Sequence, residues 1–209
     1  MTIGKPFVFM AAALASNGGI GYKKGLPWSI PGDWQYFEDV TTKSYGDSES
    51  RSDEWCNVVI LGRHSYEAKP MLGEPLANRY NIVVSRNSEY NVGNSPIAEL
   101  VNSLDQAFAK ADTMVKENGR IFMLGGEELY RQSIGLPQCT HVLITNIYSS
   151  TPIPCDTFIP EIDPSVYQLV SHTELETFLK RKVPEGRQQY ENFEYEFVLY
   201  VRKQIKFGA

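Results

Sequence analysis

Three short segments of this chain, Phe7-Val-Phe-Met-Ala-Ala-Ala-Leu14, Val58-Val-Ile-Leu61 and Ile82-Val-Val84, are apolar at every position. A strand with one face in water alternates apolar and polar residues; an unbroken apolar run is how a strand covered on both faces reads. Covering both faces of a sheet takes helices on either side, joined to the strands by crossovers, so these segments predict an α/β domain with a largely parallel sheet. The first run follows Lys5 and ends in Ala13-Leu14-Ala15, which has the outline of a secretion leader. It is short for a leader's apolar core and far below the ~18 apolar residues of a membrane helix, and the cysteines do not suit secretion, so it reads as the sheet's first buried strand.

The other expected strands cover 57–61, 80–85, 120–124, 141–147, 168–172 and 193–202. The last of these differs in kind. Tyr195, Phe197, Leu199 and Val201 alternate with Glu196, Val198, Tyr200 and Arg202, which predicts an antiparallel strand approached in hairpin fashion by 168–172. One helix is expected after Ser103, where Gln106 completes a capping-box pattern and Leu104, Ala107, Phe108, Ala111 and Val115 form one stripe. Others are expected at 127–133, from Pro31 with Trp34, Phe37 and Val40 on one face, and in a short turn after Gly62. The polar stretches 41–53 and 180–192 read as surface loops.

Composition narrows the partners. Twenty Lys and Arg stand against 25 Asp and Glu, a net charge of −5, so nothing global attracts nucleic acid or an anionic membrane. Three cysteines, Cys56, Cys139 and Cys155, are an odd number without metal-ligand spacing and point to free thiols in a reducing compartment. With 209 residues, a single domain is expected.

Four motifs carry possible chemistry. Asn17-Gly-Gly-Ile-Gly-Tyr-Lys-Lys-Gly25 follows the first strand, but Gly19-x-Gly21 is followed by Gly25, which breaks the dinucleotide fingerprint. It reads either as a plain surface loop or as a lid anchored by Trp28. Leu124-Gly125-Gly126-Glu127 ends a buried strand on two glycines and opens a helix, a tight turn that also admits close approach of a ligand. Gly62-Arg63-His64-Ser65 and Ser85-Arg86 each place an arginine and a hydroxyl at a strand end, a pair suited to clamp one phosphate, such as the 2′-phosphate of a nicotinamide cofactor. Asp33 lies in the first turn of the helix that carries Trp34 and Phe37; it either serves the helix dipole or faces an aromatic pocket, where it must find donors or titrate. His141 and His172 lie in strand-like runs and share no metal-ligand spacing, so no metal site is expected.

Taken in order, Gly19-Ile20-Gly21 with Leu26-Pro27-Trp28, Asp33, the two arginine turns, Gly125-Gly126 with Tyr130, and Asp156-Thr157-Phe158 resemble the dihydrofolate reductases over residues ~6–203. The loops 41–53 and 180–192 are similar to those of eukaryotic, particularly fungal, members. The resemblance implies an eight-stranded, mostly parallel sheet with an antiparallel last strand and flanking helices, one domain over 1–209 whose adenosine-binding part spans roughly 57–120. It implies reduction of 7,8-dihydrofolate to tetrahydrofolate with NADPH as cofactor, hydride going to pterin C6 and a proton to N5, and sensitivity to antifolates such as methotrexate. It also implies a monomer working in the cytoplasm, with neither nucleic acid nor membrane as partner.

By the same resemblance Asp33, Trp28, Thr145 and Tyr130 are the catalytic set, with Thr145 bonded to Asp33. Substrate contacts are expected from Ala11, Trp34, Phe37, Ser65, Lys69, Leu76, Arg79 and Leu124, with Arg79 pairing with the glutamate tail's α-carboxylate. Cofactor contacts are expected from Ala13, Ile20, Gly21, Gly62, Arg63, His64, Ser65, Ser85, Arg86, Gly125, Gly126, Glu127, Glu128 and Tyr130, and the Gly125-Gly126 bond is expected to be cis. Lys69, Trp34 and the Ser65-Tyr66 pair depart from the family's usual residues and put pocket shape, not the reaction, in question. A related reductase of riboflavin synthesis, or an inactive ligand-binding paralogue, fits Asp33, Arg79 and the lid less well. Replacing Arg63 and Arg86 together by alanine should cost NADPH affinity much more than NADH affinity; equal losses in a fluorescence titration would show that the two arginines do not read the 2′-phosphate.

Overall fold

The structure is a computed structural model that describes residues 4–46 and 55–203. In chain order its elements are β1 (Phe7–Leu14), β2 (Gly19–Gly21), α1 (Pro31–Thr42), β3 (Val58–Gly62), α2 (Arg63–Glu67), β4 (Tyr80–Val84), β5 (Ala98–Val101), α3 (Leu104–Met114), β6 (Ile121–Met123), α4 (Glu127–Ser133), β7 (Cys139–Ser149), β8 (Thr157–Phe158), β9 (Tyr167–Leu169), α5 (His172–Leu179), β10 (Gln188–Tyr190) and β11 (Phe193–Arg202). The main sheet runs β10-β11-β7-β1-β6-β3-β4-β5, and β9 also pairs with β11. Because β9 and β10 pair with opposite ends of β11, the sheet is eight strands wide. The six strands from β7 to β5 are parallel, and β11 closes the sheet antiparallel on β7.

The apolar runs do what their lack of alternation requires. Phe7, Phe9, Val58, Ile60, Ile82, Ile121, Met123, Val142 and Ile144 point to one face, where Ala107 and Ala111 of α3 and Leu129 and Tyr130 of α4 cover them. Their neighbours Val8, Met10, Val59, Leu61, Val83, Phe122 and Leu143 point to the other, covered by Tyr36 and Val40 of α1, Tyr66 of α2 and Leu175 and Leu179 of α5. Each strand therefore contributes to two cores, and removing water from both faces is the main term holding the three layers together. Tyr36 stacks on Phe197 at 3.9 Å between ring centroids, which fastens α1 across β11.

Several boundaries differ from expectation for local reasons. The helix from Pro31 continues through Thr42 instead of yielding to a loop at 41, because Thr41 is fully buried and its hydroxyl bonds back to the Phe37 carbonyl at 2.7 Å. Residues 47–53 of that expected loop lie outside the described residues. The expected strand 168–172 stops at Leu169, and His172 opens α5 rather than extending a strand; Ser171 and Glu174 form a full capping box there. The expected loop 180–192 contains β10, which pairs with β11 as a hairpin turning at Glu191 (φ 51°). β5 and the small β2–β8 pair were not foreseen, the latter because three- and two-residue strands leave no periodicity to read. Ser103 caps α3 as expected, although Gln106 reaches back to the Asn102 amide, one residue further out.

Asn81, fully buried in β4, holds the turn that leads into that strand. Its amide donates to the carbonyls of Leu76 (2.9 Å), Arg79 (2.8 Å) and Ile97 (3.2 Å), and its oxygen accepts from the Leu76 amide at 2.9 Å. Asn81→Leu keeps the volume but strands these backbone groups. It should cost about 2–4 kcal/mol, read as a lower urea midpoint with an unchanged slope; a loss below about 1 kcal/mol would mean that the turn stands without this side chain.

Candidate active site

A cleft of about 1420 Å³ opens at the carboxyl ends of the parallel strands, larger than the roughly 300–1,000 Å³ that holds one drug-sized ligand. Its position follows from topology. The chain leaves β1 for β3, β4 and β5, then returns to place β6 between β1 and β3, so the turns that follow these strands converge on one crevice. Ala11 and Ala12 of β1, Leu61 and Gly62 of β3, Val84 of β4 with Ser85 after it, and Leu124 after β6 form its floor.

One end is apolar with a single acid. Trp34 and Phe37 of α1, 5.0 Å apart as a tilted pair, face Leu76, Met71 and the stem of Lys69 across the cleft. Asp33 is the acid. Pro31 starts α1 and the helix has no side-chain cap, so Asp33 does not spend itself on the helix end. Its carboxylate instead bonds to Thr145 of β7, whose register opposite Ala12 brings it to the same crevice. Burial pushes the Asp33 carboxyl up to about 6, with the Thr145 hydroxyl pulling the other way.

The other end is polar and basic. Arg63, His64 and Ser65 open α2, Ser85, Arg86 and Asn87 follow β4, and Asn102, Ser103 and Leu104 join β5 to α3. Arg63 lies against the Tyr90 ring at 5.6 Å and 3.1 Å from the His64 Nε2, while Asn102 donates to the Ser85 carbonyl at 3.0 Å and so ties two of these turns together. Between the two ends sits the Gly125-Gly126 turn, whose peptide is cis as expected. Gly125 has φ 83°, and a side chain there would collide with the Tyr130 ring, so only glycine fits. Tyr130 is buried, packs as a tilted ring against Phe9 at 4.3 Å between centroids and donates to the Met10 carbonyl at 2.6 Å. Its proton is committed to β1, and burial raises the phenol well above its ordinary range.

A lid covers the middle. β2 pairs with β8, the Lys23 amide donates to Asp156 at 2.9 Å, the Asp156 amide donates to Gly21 at 2.9 Å and the Ile159 amide to Gly18 at 2.8 Å. Lys23 and Lys24 make its tip with φ of 50° and 63°.

Of the expected site residues, Asp33, Thr145, Tyr130, Ala11, Trp34, Phe37, Ser65, Lys69, Leu76, Leu124, Ile20, Gly21, Gly62, Arg63, His64, Ser85, Arg86, Gly126, Glu127 and Glu128 line this one cleft. Four do not line it. Trp28 is packed beneath the lid with Leu14, Ile30 and Ile147, its indole N–H buried without an acceptor among the described residues. Ala13 is buried within β1, and Gly125 lies behind Gly126. Arg79, expected to face a ligand carboxylate, is 1% exposed and ion-paired with Glu38 at 3.0 Å. Burial pulls its pKa down and Glu38 pulls it back up. From sequence, Ser103 and Leu104 read only as helix cap and stripe and Lys24 only as part of the loop, while Glu38 and Asn102 stand in no motif. For the three around Ser103 the usable signal was the rule that strand ends build the site; for Glu38 no sequence signal distinguished it from a solvated helix acid.

Against this geometry the comparisons are specific. A family model described as dihydrofolate reductase matches residues 7–192. The chain belongs to the dihydrofolate reductase family. A Pneumocystis carinii dihydrofolate reductase is 32% identical over 206 residues, covering 92% of this chain and 95% of the relative. One from Schizosaccharomyces pombe is 35% identical over 217 residues, covering 94% of this chain. This chain spans about half the length of that relative, 46%. Both sources are fungi, in keeping with the loops. The fold matches a solved Enterococcus faecalis dihydrofolate reductase, complexed with NADP(H) and RAB-propyl, at a TM-score of 0.68 and 26% identity, over 95% of this chain and 97% of that one. Among the described residues no helix is long and apolar enough to cross a membrane, and no cluster of His, Cys, Asp and Glu suits a metal.

The raised Asp33 carboxyl has a consequence for stability. Its folded pKa of about 6 lies above the unfolded value of 3.8, so the folded protein binds the proton more tightly. Stability from this group is fully present below about pH 4 and is lost as pH rises through about 6. Asp33→Asn, which never ionises, should therefore gain about 2–3 kcal/mol over the native protein between about pH 4 and pH 8. Urea denaturation at the two pH values checks this; a constant difference would show that Asp33 is not desolvated.

Proposed function

We propose that the protein reduces 7,8-dihydrofolate to 5,6,7,8-tetrahydrofolate with NADPH. The observation that carries this reading is one desolvated carboxyl, Asp33, at the apolar end of a two-ended cleft whose other end is rimmed by Arg63 and Arg86. The acid suits the amino and ring N–H groups of a pterin, and Trp34 and Phe37 suit the flat rings of pterin and benzoyl.

The residues at the basic end fit the cofactor. Arg63 and Arg86 are the cations that a 2′-phosphate selects, with Ser65, Ser85 and His64 as hydrogen-bonding partners. Gly126 leaves room beside Ser65, whose hydroxyl would stand 3.2 Å from a Cβ at that position, so a bare backbone meets the ligand there. The strands and helices of roughly 57–120 hold the adenosine part in this reading. When bound, NADPH supplies the hydride.

The chain's own groups do the rest. Asp33 accepts hydrogen bonds from the pterin and, as a fixed anion at the ring's edge, favours the protonated pterin that hydride transfer requires. Thr145 orients Asp33. Tyr130 is a positioning residue that holds α4 and the Gly125-Gly126 turn against β1. Trp28 anchors the lid from below, and the lid excludes water from the reacting rings. A water delivers the proton to N5, since Asp33 is spent on the far side of the ring. A monomer in a reducing compartment such as the cytoplasm is part of this reading, supported by three unpaired cysteines. The net charge of −5 supports the absence of a nucleic-acid partner.

Asp33→Asn preserves size and removes the anion. Dihydrofolate-dependent NADPH oxidation should fall by roughly 10²–10³-fold while NADPH binding stays native. Native turnover in this variant, or failure of methotrexate to inhibit the native protein, would sink the assignment.

A further inference from the structure

Arg79 adjoins the apolar end of the cleft, with its guanidinium 5.7 Å from the centre of the Phe37 ring and Leu76 three residues before it. Each of its three nitrogens already donates. Nε donates to the Ala77 carbonyl at 2.9 Å and Nη1 to the Thr41 hydroxyl at 2.8 Å. Nη2, the remaining edge, donates to both oxygens of Glu38 at 3.1 and 3.0 Å. A guanidinium buried this far needs an anion, and Glu38 supplies it from the helix that carries Asp33, Trp34 and Phe37. The Glu38 side chain is 31% exposed, so it has a route to water that Arg79 lacks.

A substrate tail ending in a carboxylate would need the same Nη2 edge. Two carboxylates on one guanidinium edge repel each other, so tail and Glu38 compete. We propose that Glu38 is a specificity-determining residue: it holds Arg79 with an internal carboxylate, and so weakens ligands that carry a glutamate-type α-carboxylate relative to ligands that consist of the ring alone. This rests on the reading of Arg79 as the anchor for that carboxylate. Glu38 touches no reacting atom; its effect falls on KM and not on the chemical step.

Steady-state kinetics with two substrates separates the outcomes: dihydrofolate, and a 6-methyl dihydropterin that has the ring without the tail. Glu38→Gln keeps an oxygen acceptor for Arg79 but drops the charge. It should lower the KM for dihydrofolate about tenfold, the scale of a modest charge coupling, with kcat unchanged and both constants for the dihydropterin unchanged. An unaltered or raised KM for dihydrofolate, or an equal fall for both substrates, overturns the proposal. Arg79→Gln tests the underlying reading. If it raises the KM for dihydrofolate alone while Glu38→Gln changes nothing, only the role of Glu38 fails; if it changes neither substrate, the anchor reading fails as well. Should Glu38→Gln not fold, Glu38→Asp withdraws the carboxylate by one methylene and gives the same readout, with a smaller fall expected.

Discussion

β1 has no face in water, and much of the molecule follows from that. A strand buried on both sides, with parallel partners on both edges, must be covered by helices above and below and joined to its neighbours by crossovers. Crossovers leave every parallel strand at its carboxyl end, so the turns accumulate on one side of the sheet. Because β6 enters late, between β1 and β3, the turns there splay and leave a crevice. The packing demand of a few apolar residues thus decides where chemistry can occur before any catalytic side chain is considered.

The crevice is partly apolar, and an ion in it must be supported. Asp33 and Arg79 meet this requirement in opposite ways. Asp33 has one neutral partner, Thr145, and its carboxyl responds by holding its proton up to a higher pH. Arg79 is kept charged by a full anion, Glu38, together with two neutral acceptors. The first arrangement leaves an acid in want of positively polarised N–H donors, which is what a pterin offers. The second leaves a cation already satisfied. In each case the inner partner, Thr145 or Glu38, sets how strongly the outer ligand is wanted.

Much of this was legible in the sequence, for identifiable reasons. The buried strands announce themselves by lacking alternation, β11 by having it, and α3 by its Ser103 cap. The cleft residues at 62–65, 85–86 and 126 are marked by glycines and arginines at strand ends, where the topology concentrates function. What escaped notice depends on partners distant in sequence. Glu38 resembles any solvated acid on an amphipathic helix until Arg79, 41 residues on, is seen beside it. α5 hid behind a strand-like run, although Ser171 and Glu174 spelled out its start. Trp28 reads from sequence as the lid's apolar anchor, and its burial with Leu14, Ile30 and Ile147 places it in the lid's foundation.

That foundation bears on how the lid can move. The tip at Lys23 and Lys24 is exposed, and the Lys23 amide donates to the carboxylate of Asp156, an exposed residue on a separate segment whose own amide donates to the Gly21 carbonyl. Trp28, a few residues on, is buried and packed on β1 and β7. The lid therefore has a soft end and a fixed end: a motion of its tip breaks a few exposed backbone hydrogen bonds, whereas a motion at Trp28 would uncover apolar surface and cost far more. Gly25, Leu26 and Pro27 connect the two ends, and the left-handed backbone of the turn lies at Lys23 and Lys24, not at the glycine. Such a lid can admit a ligand without disturbing the core strand beneath it, which is the condition for a mobile cover on a rigid site.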